Sequence, residues 1–245
     1  MDIILLLVFA GVTWAVAGEG PWGSALVLFS VVLSGLLAMN LFEPLAEKMS
    51  GGSYDWSVRS DIMAFLGLFS LSVWGLREAT ERIMPTTLEV VGLLHETRWL
   101  FGAVTGYAMV AILLTALHTA PLPREFLGFR PERMNLLDTM APDRQWLGFT
   151  QYVSERVMRS GTYGPIFDGA NFAILSPNTP EAVAYPLAIQ NPDGQRLTTA
   201  QVWSSFPMRY AQRRDQFMGG GTVVPSAPLP VIAPVPGSGG SQPAF

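Results

Sequence analysis

Residues 22–42 read Trp22-Gly23-Ser24-Ala25-Leu26-Val27-Leu28-Phe29-Ser30-Val31-Val32-Leu33-Ser34-Gly35-Leu36-Leu37-Ala38-Met39-Asn40-Leu41-Phe42, without one ionisable side chain. At 1.5 Å per residue a helix over this run is about 31 Å long, the thickness of a bilayer's hydrocarbon core. Glu43-Pro44 is expected to stop it, and Gly18-Glu19-Gly20-Pro21 forms a turn before it. Three more apolar runs lie on either side: Ile3–Ala17, Ile62–Leu76 and Trp99–Leu117. The last meets the crossing length of roughly 17–25 residues directly, and the two shorter runs need their flanks to complete it. The expectation is four transmembrane helices.

Composition agrees with that expectation. The chain has 245 residues, 49% hydrophobic and 14% charged, against about 25% charged in an average soluble domain. Such hydrophobicity excludes a disordered chain, and zero cysteines exclude a disulfide scaffold. No basic block or basic stripe with interleaved aromatics appears, so nucleic-acid binding has no footprint. Residues 1–118 carry five basic and ten acidic groups, and residues 119–245 carry ten and nine. Trp14, Trp22, Trp56, Trp74 and Trp99 fall near the expected span ends, where an aromatic belt would sit.

Two runs admit other readings. Ala15-Val16-Ala17 before Gly18 resembles a signal-peptide cleavage site, but the preceding segment carries Asp2 and no Lys or Arg. Run three could instead be a buried core helix, which would leave three spans. Arg77–Leu94, broken by Pro85, reads either as an amphipathic connector on the membrane surface or as an extension of the third helix.

After Pro123 the chain turns water-facing. Pro142-Asp143 opens an expected helix with Asp143 as its cap and apolar positions at Trp146, Phe149, Val153 and Val157. Gly161–Pro165 would end it. Phe172–Leu175 and Ala182–Ile189 read as strands or loops, Asn191–Gly194 as a turn, and Thr198 or Thr199 to Phe206 as a short helix. The expected organisation is an all-α membrane module over 1–118, a small loop-rich extramembrane domain over 119–217 and a flexible Gly/Pro/Ser tail over 218–245.

Lipid gives helices no hydrophobic reason to associate, so small residues that let backbones approach should set the packing. Ser30, Ser34 and Ala38 form one stripe on the second helix. Ala64, Gly67, Ser70 and Gly75 lie along a face of the third, and Gly102-x-x-x-Gly106 opens the fourth. Polar groups inside the spans are uncharged, Ser72, Thr105 and Tyr107 among them. Asp61 reads as a cap or first-turn acid of the third helix. A proton-coupled transporter is disfavoured. An oligomeric channel lined by Ser70, Ser72, Thr105 and Tyr107 stays open as the alternative.

Catalytic and metal signatures are missing from the sequence. His95 and His118 lie 23 residues apart along one helix, roughly 35 Å, and cannot share a metal or a triad within one chain. Both read as interfacial or capping groups. No HExxH, GxSxG, phosphate-binding loop or paired-Cys spacing occurs. The chain reads as a non-enzyme with no cofactor. A membrane-bound enzyme is a second rival, and it would need paired acids in the C-terminal part, such as Asp143, Asp168 or Glu181.

The Asp2-Ile3-Ile4-Leu5 start, the glycine-containing turn at 18–23, Ala38-x-x-x-Phe42-x-Pro44-Leu45-Ala46, and Arg98-x-Leu100-x-Gly102-Ala103-x-x-Gly106 resemble the colicin V production protein (CvpA) family. The first turn departs from that pattern, with Glu19-Gly20-Pro21 where the family has a basic residue between glycines. The resemblance implies a small multispanning protein of the bacterial inner membrane, associated with colicin V (toxin) production and envelope homeostasis. Some relatives append a periplasmic serine protease, but no His follows His118 here. Basic residues Lys48, Arg59, Arg124, Arg130 and Arg133 against Arg77, Arg82 and Arg98 place both termini in the cytoplasm. The expected role is an anchor or scaffold in an envelope assembly, with lipid and protein partners or self-association through the small-residue faces.

Overall fold

The computed structural model describes residues 1–51, 54–83, 95–123, 125–131, 134–158, 167, 172–175, 185–186 and 201–217. These are mostly helical. The helices are α1 (Asp2–Ala17), α2 (Gly20–Ser50), α3 (Tyr54–Ile83), α4 (Thr97–Thr119), α5 (Pro142–Val153) and α6 (Ser205–Phe217). A short antiparallel sheet has β1 (Phe172–Leu175) between β2 (Tyr185–Pro186) and β3 (Gln201–Ser204), and β3 runs straight into α6. Three helices, Gly20–Ser50, Arg59–Ile83 and Thr97–Thr119, are long and apolar enough to cross a membrane. The apolar α1 has 16 residues, about 24 Å at 1.5 Å per residue.

All three long helices outrun their apolar cores. Glu43-Pro44 does not stop α2, which continues to Ser50 with Pro44 inside it. An interior proline removes one ladder bond and costs about 3 kcal/mol. Phe42 and Ala46 flank it, both buried in the core, and Phe42 meets the Phe65 ring edge-on at 5.5 Å. That packing carries the helix past the missing bond. Gly51 then ends α2 at φ 54°, the left-handed geometry in which glycine closes a helix. At the far end of α3, the extension reading of 77–83 holds. Arg82 and Glu78 pair at 2.7 Å across one turn, while residues 84–94 lie outside the described set.

α1 runs antiparallel to α4. Its Thr13 and Phe9 carbonyls face Gly102 and Gly106, so a Cβ on Gly102 would sit 2.7 Å from Thr13 O and one on Gly106 2.8 Å from Phe9 O. Ser24 Oγ, on α2, lies 2.8 Å from Val16 O and ties the first hairpin. Arg77 on α3 reaches Glu19 in the turn between α1 and α2 at 2.7 Å. At the other end the Asp2 carboxylate accepts from Leu137 N at 2.9 Å. The two ends of α1 therefore lie at opposite ends of the bundle.

Ser30, Ser34 and Ala38 are buried on α2. The third helix packs differently from the stripe read on it. Gly67 and Ser70 face outward, and a Cβ on Gly67 would meet nothing within 4 Å. Of that stripe Ala64 is buried, and it enters the core beside Phe65 and Phe69. Phe65 and Phe69, with the small Ala64 beside them, make the face of this helix that enters the core.

The C-terminal segment has no separate core among the described residues. Trp146 and Leu147 of α5 and Phe206 and Tyr210 of α6 join the cluster formed by α2, α3 and α4. Gly35 makes this possible, since an added Cβ there would fall within 3 Å of the Trp146 ring and 2.9 Å from Ile112 Cδ1. The short helix expected to end at Phe206 begins at Ser205, with Pro207 in its first turn, where a proline forfeits no helical bond. The turn at 191–194, the stretch 161–165 and the tail 218–245 lie outside the described residues.

Candidate functional site

Two polar places stand out on this framework, both at the end of the bundle where α4 ends. The first is built by His118 and Asp143. His118 occupies the last turn of α4. Asp143 occupies the first turn of α5, behind the N-cap Ala141, so it is not the cap read from the sequence. Its Oδ2 lies 2.8 Å from His118 Nε2, and both side chains are 0% exposed.

The surroundings of the pair are aromatic. The His118 ring meets Phe129 edge-on at 5.0 Å and Phe206 at 6.3 Å, and the Arg214 guanidinium stands 5.6 Å over the Phe129 ring. His118 stands in the last turn of α4 and Asp143 in the first turn of α5, so the contact joins the ends of two helices. His118 Nδ1 and Asp143 Oδ1 have no hydrogen-bond partner among the described residues. A catalytic triad would place a hydroxyl or thiol on that second ring nitrogen and open the site to substrate. Among the described residues this pair has neither, and its contact joins α4 to α5.

The second place is a cleft of about 400 Å³ between the C-terminal half of α2, the start of α3 and α6. Glu43, Glu47 and Asp61 line one side of it, and Arg209, Tyr210 and Arg213 the other. Arg209 pairs with Glu43 at 3.2 Å, and Arg213 pairs with Asp61. Asp61 is thus neither cap nor first-turn residue of α3, which begins at Tyr54. It is an ion-pair partner for α6. Burial raises the Tyr210 phenol above its ordinary range, with the Asp61 and Glu43 carboxylates adding to the effect. Tyr210 therefore stays neutral.

Two of the four polar side chains read as a path, Thr105 and Tyr107, are engaged in hydrogen bonds within the protein. Thr105 Oγ1 donates to Phe101 O at 2.7 Å within its own helix, and Tyr107 donates to Gln145 of α5. Ser72 lies half-buried on α3. Asp168 and Glu181 lie outside the described residues, so of the three acids named for an enzyme site only Asp143 is placed. Among the described residues no group of three His, Cys, Asp or Glu could hold a metal ion.

The His118–Asp143 pair was missed because each residue had an ordinary local explanation. The available signal was His118 flanked by Leu117 and Thr119 rather than by charges, twenty-five residues before an acid that opens an amphipathic helix. The chain matches no family model, no curated protein and no solved structure.

Proposed function

We propose that this chain is a four-span membrane module of the CvpA type that anchors or scaffolds an assembly of the bacterial envelope, without catalysis of its own. The module sits in the inner membrane with both termini on the cytoplasmic side. The observation that carries the reading is the shared core, in which Trp146, Leu147, Phe206 and Tyr210 pack into the α2–α4 cluster. A C-terminal segment so seated is held at a fixed place on the membrane helices, as a scaffold requires.

Three further features support it. Ile3, Leu7, Leu71, Trp74 and Leu100 are outward-facing and well exposed, as side chains meeting lipid would be. The Gly102/Gly106 crossing lets α1 join α4 closely enough to act as a fourth span. The hydroxyls of Thr105 and Tyr107 are already bonded, which favours a packed module over a polar conduit.

Cross-linking in native membranes, followed by mild detergent extraction, tests the proposal. The intact chain is expected in a higher-mass species with itself or with a second protein. Recovery of free monomer alone would overturn it.

A further inference from the structure

The cleft between α2, α3 and α6 lies where the apolar runs give way to charge, at Phe42-Glu43 on α2 and Asp61-Ile62 on α3. Just beyond it, Leu37, Leu41 and Met63 are exposed. A molecule in the cleft can therefore have its polar end among the charges and an apolar tail along the outside of the helices. The volume of about 400 Å³ falls within the range of small-molecule sites.

Two groups in the cleft still have bonding capacity. Glu47, one turn beyond Glu43, makes no ion pair among the described residues. Tyr210 is 6% exposed, its ring packed 4.7 Å from Phe206 and 6.4 Å from Phe42. Its hydroxyl makes no hydrogen bond among the described residues. A carboxylate that wants a donor and a buried neutral phenol that can donate stand on opposite walls. Arg209 lies beside Tyr210, its side chain half-exposed. A guanidinium carries five N–H donors, so a second anion can share Arg209 with Glu43.

We propose that this cleft seats a phosphoethanolamine headgroup, the ammonium on Glu47 and Glu43 and the phosphate on the Tyr210 hydroxyl and Arg209, carried by phosphatidylethanolamine of the surrounding bilayer. The charge balance selects that headgroup. Three carboxylates against two guanidiniums leave the cleft one negative charge in excess, which disfavours an anionic phosphoglycerol headgroup. A trimethylammonium group has no N–H to donate to Glu47, which disfavours choline.

The full chain is reconstituted in vesicles of equal phosphatidylethanolamine, phosphatidylcholine and phosphatidylglycerol, then extracted gently, and the retained lipids are counted by mass spectrometry. Phosphatidylethanolamine should be enriched over both others. Glu47→Gln and Tyr210→Phe should each weaken that enrichment by roughly tenfold, the worth of one charge-assisted hydrogen bond. Glu47 is exposed and Tyr210→Phe keeps the packed ring, so both variants should retain the wild-type helical circular dichroism and elution volume. Equal retention of the three lipids, or wild-type enrichment in both folded variants, overturns the proposal. Soluble phosphoethanolamine added to delipidated protein in micelles distinguishes the source. Enrichment of the lipid with little thermal shift from the free headgroup supports a lipid site, and a shift from the free headgroup without lipid enrichment overturns it.

Discussion

Burying an imidazole and a carboxylate desolvates both, and the pair persists only because each completes the other. Removing one partner from such a pair leaves an uncompensated buried group, at about 3–5 kcal/mol. Asp143→Ala is accordingly expected to destabilise the protein by that order in detergent unfolding. Asp143→Asn, which can still hydrogen-bond Nε2, should cost less. The double variant His118→Ala/Asp143→Ala should cost clearly less than the two single changes summed, since the second removal takes away a group already orphaned. An additive cycle would mean the two side chains do not act together. Tyr210 gives a second test at this scale. Its phenol is held above the ordinary tyrosine value of about 10 when folded, so above about pH 10 the unfolded chain releases a proton that the folded chain keeps. Stability from this group is intact below pH 10 and declines as pH rises beyond it. Tyr210→Phe should flatten that alkaline decline in unfolding experiments, and an unchanged slope would contradict the assignment.

Among the helices, the glycines separate two kinds of contact that the sequence presented alike. Gly102 and Gly106 face carbonyl oxygens of α1, and Gly35 faces the Trp146 ring. Gly67 faces open space. Overpacking a tight site costs typically about 1–3 kcal/mol, whereas Gly→Ala at an open helical position gains up to about 1 kcal/mol in helix propensity. Gly102→Ala and Gly35→Ala should therefore lower stability, and Gly67→Ala should leave it unchanged or raise it, as read by unfolding midpoints. A loss at Gly67 as large as at Gly102 would contradict the packing described. The existence of the long helices was legible because an apolar run of bilayer length has few other uses. Their ends were not, since Pro44 marks a boundary only when nearby packing is too weak to hold the helix, and Phe42 and Ala46 hold it. The stripe on α3 could not be assigned because periodicity shows that a face exists without showing which neighbour it meets. The buried pair and the cleft were out of reach for a similar reason: His118 meets Asp143, and Asp61 meets Arg213, across long stretches of chain whose return path local spacing does not encode. The glycine pair on α4, which spacing did suggest, needs no partner identity beyond a nearby backbone.

For the whole molecule the open quantity is the number of crossings, and it turns on α1. A helix of about 24 Å is short of a hydrocarbon core near 30 Å, and local thinning of the bilayer accommodates such a mismatch at a fraction of a kcal/mol per Å. The contacts at its two ends favour a crossing. Asp2 bonds the Leu137 amide beyond the end of α4, while Glu19 bonds Arg77 near the end of α3. If α1 crosses, Asp2, Ser50 and Glu125 share one face of the membrane, and Glu19 and Glu81 share the other. The chain contains no cysteine, so one introduced thiol is the only one present. In sealed vesicles of known orientation, a membrane-impermeant maleimide should label Glu19→Cys and Glu81→Cys from one side. It should label Asp2→Cys, Ser50→Cys and Glu125→Cys from the opposite, cytoplasmic, side. Labelling of Asp2→Cys and Glu19→Cys from the same side would reduce α1 to a helix lying against α4. The molecule would then have three crossings, and its two termini would face opposite compartments.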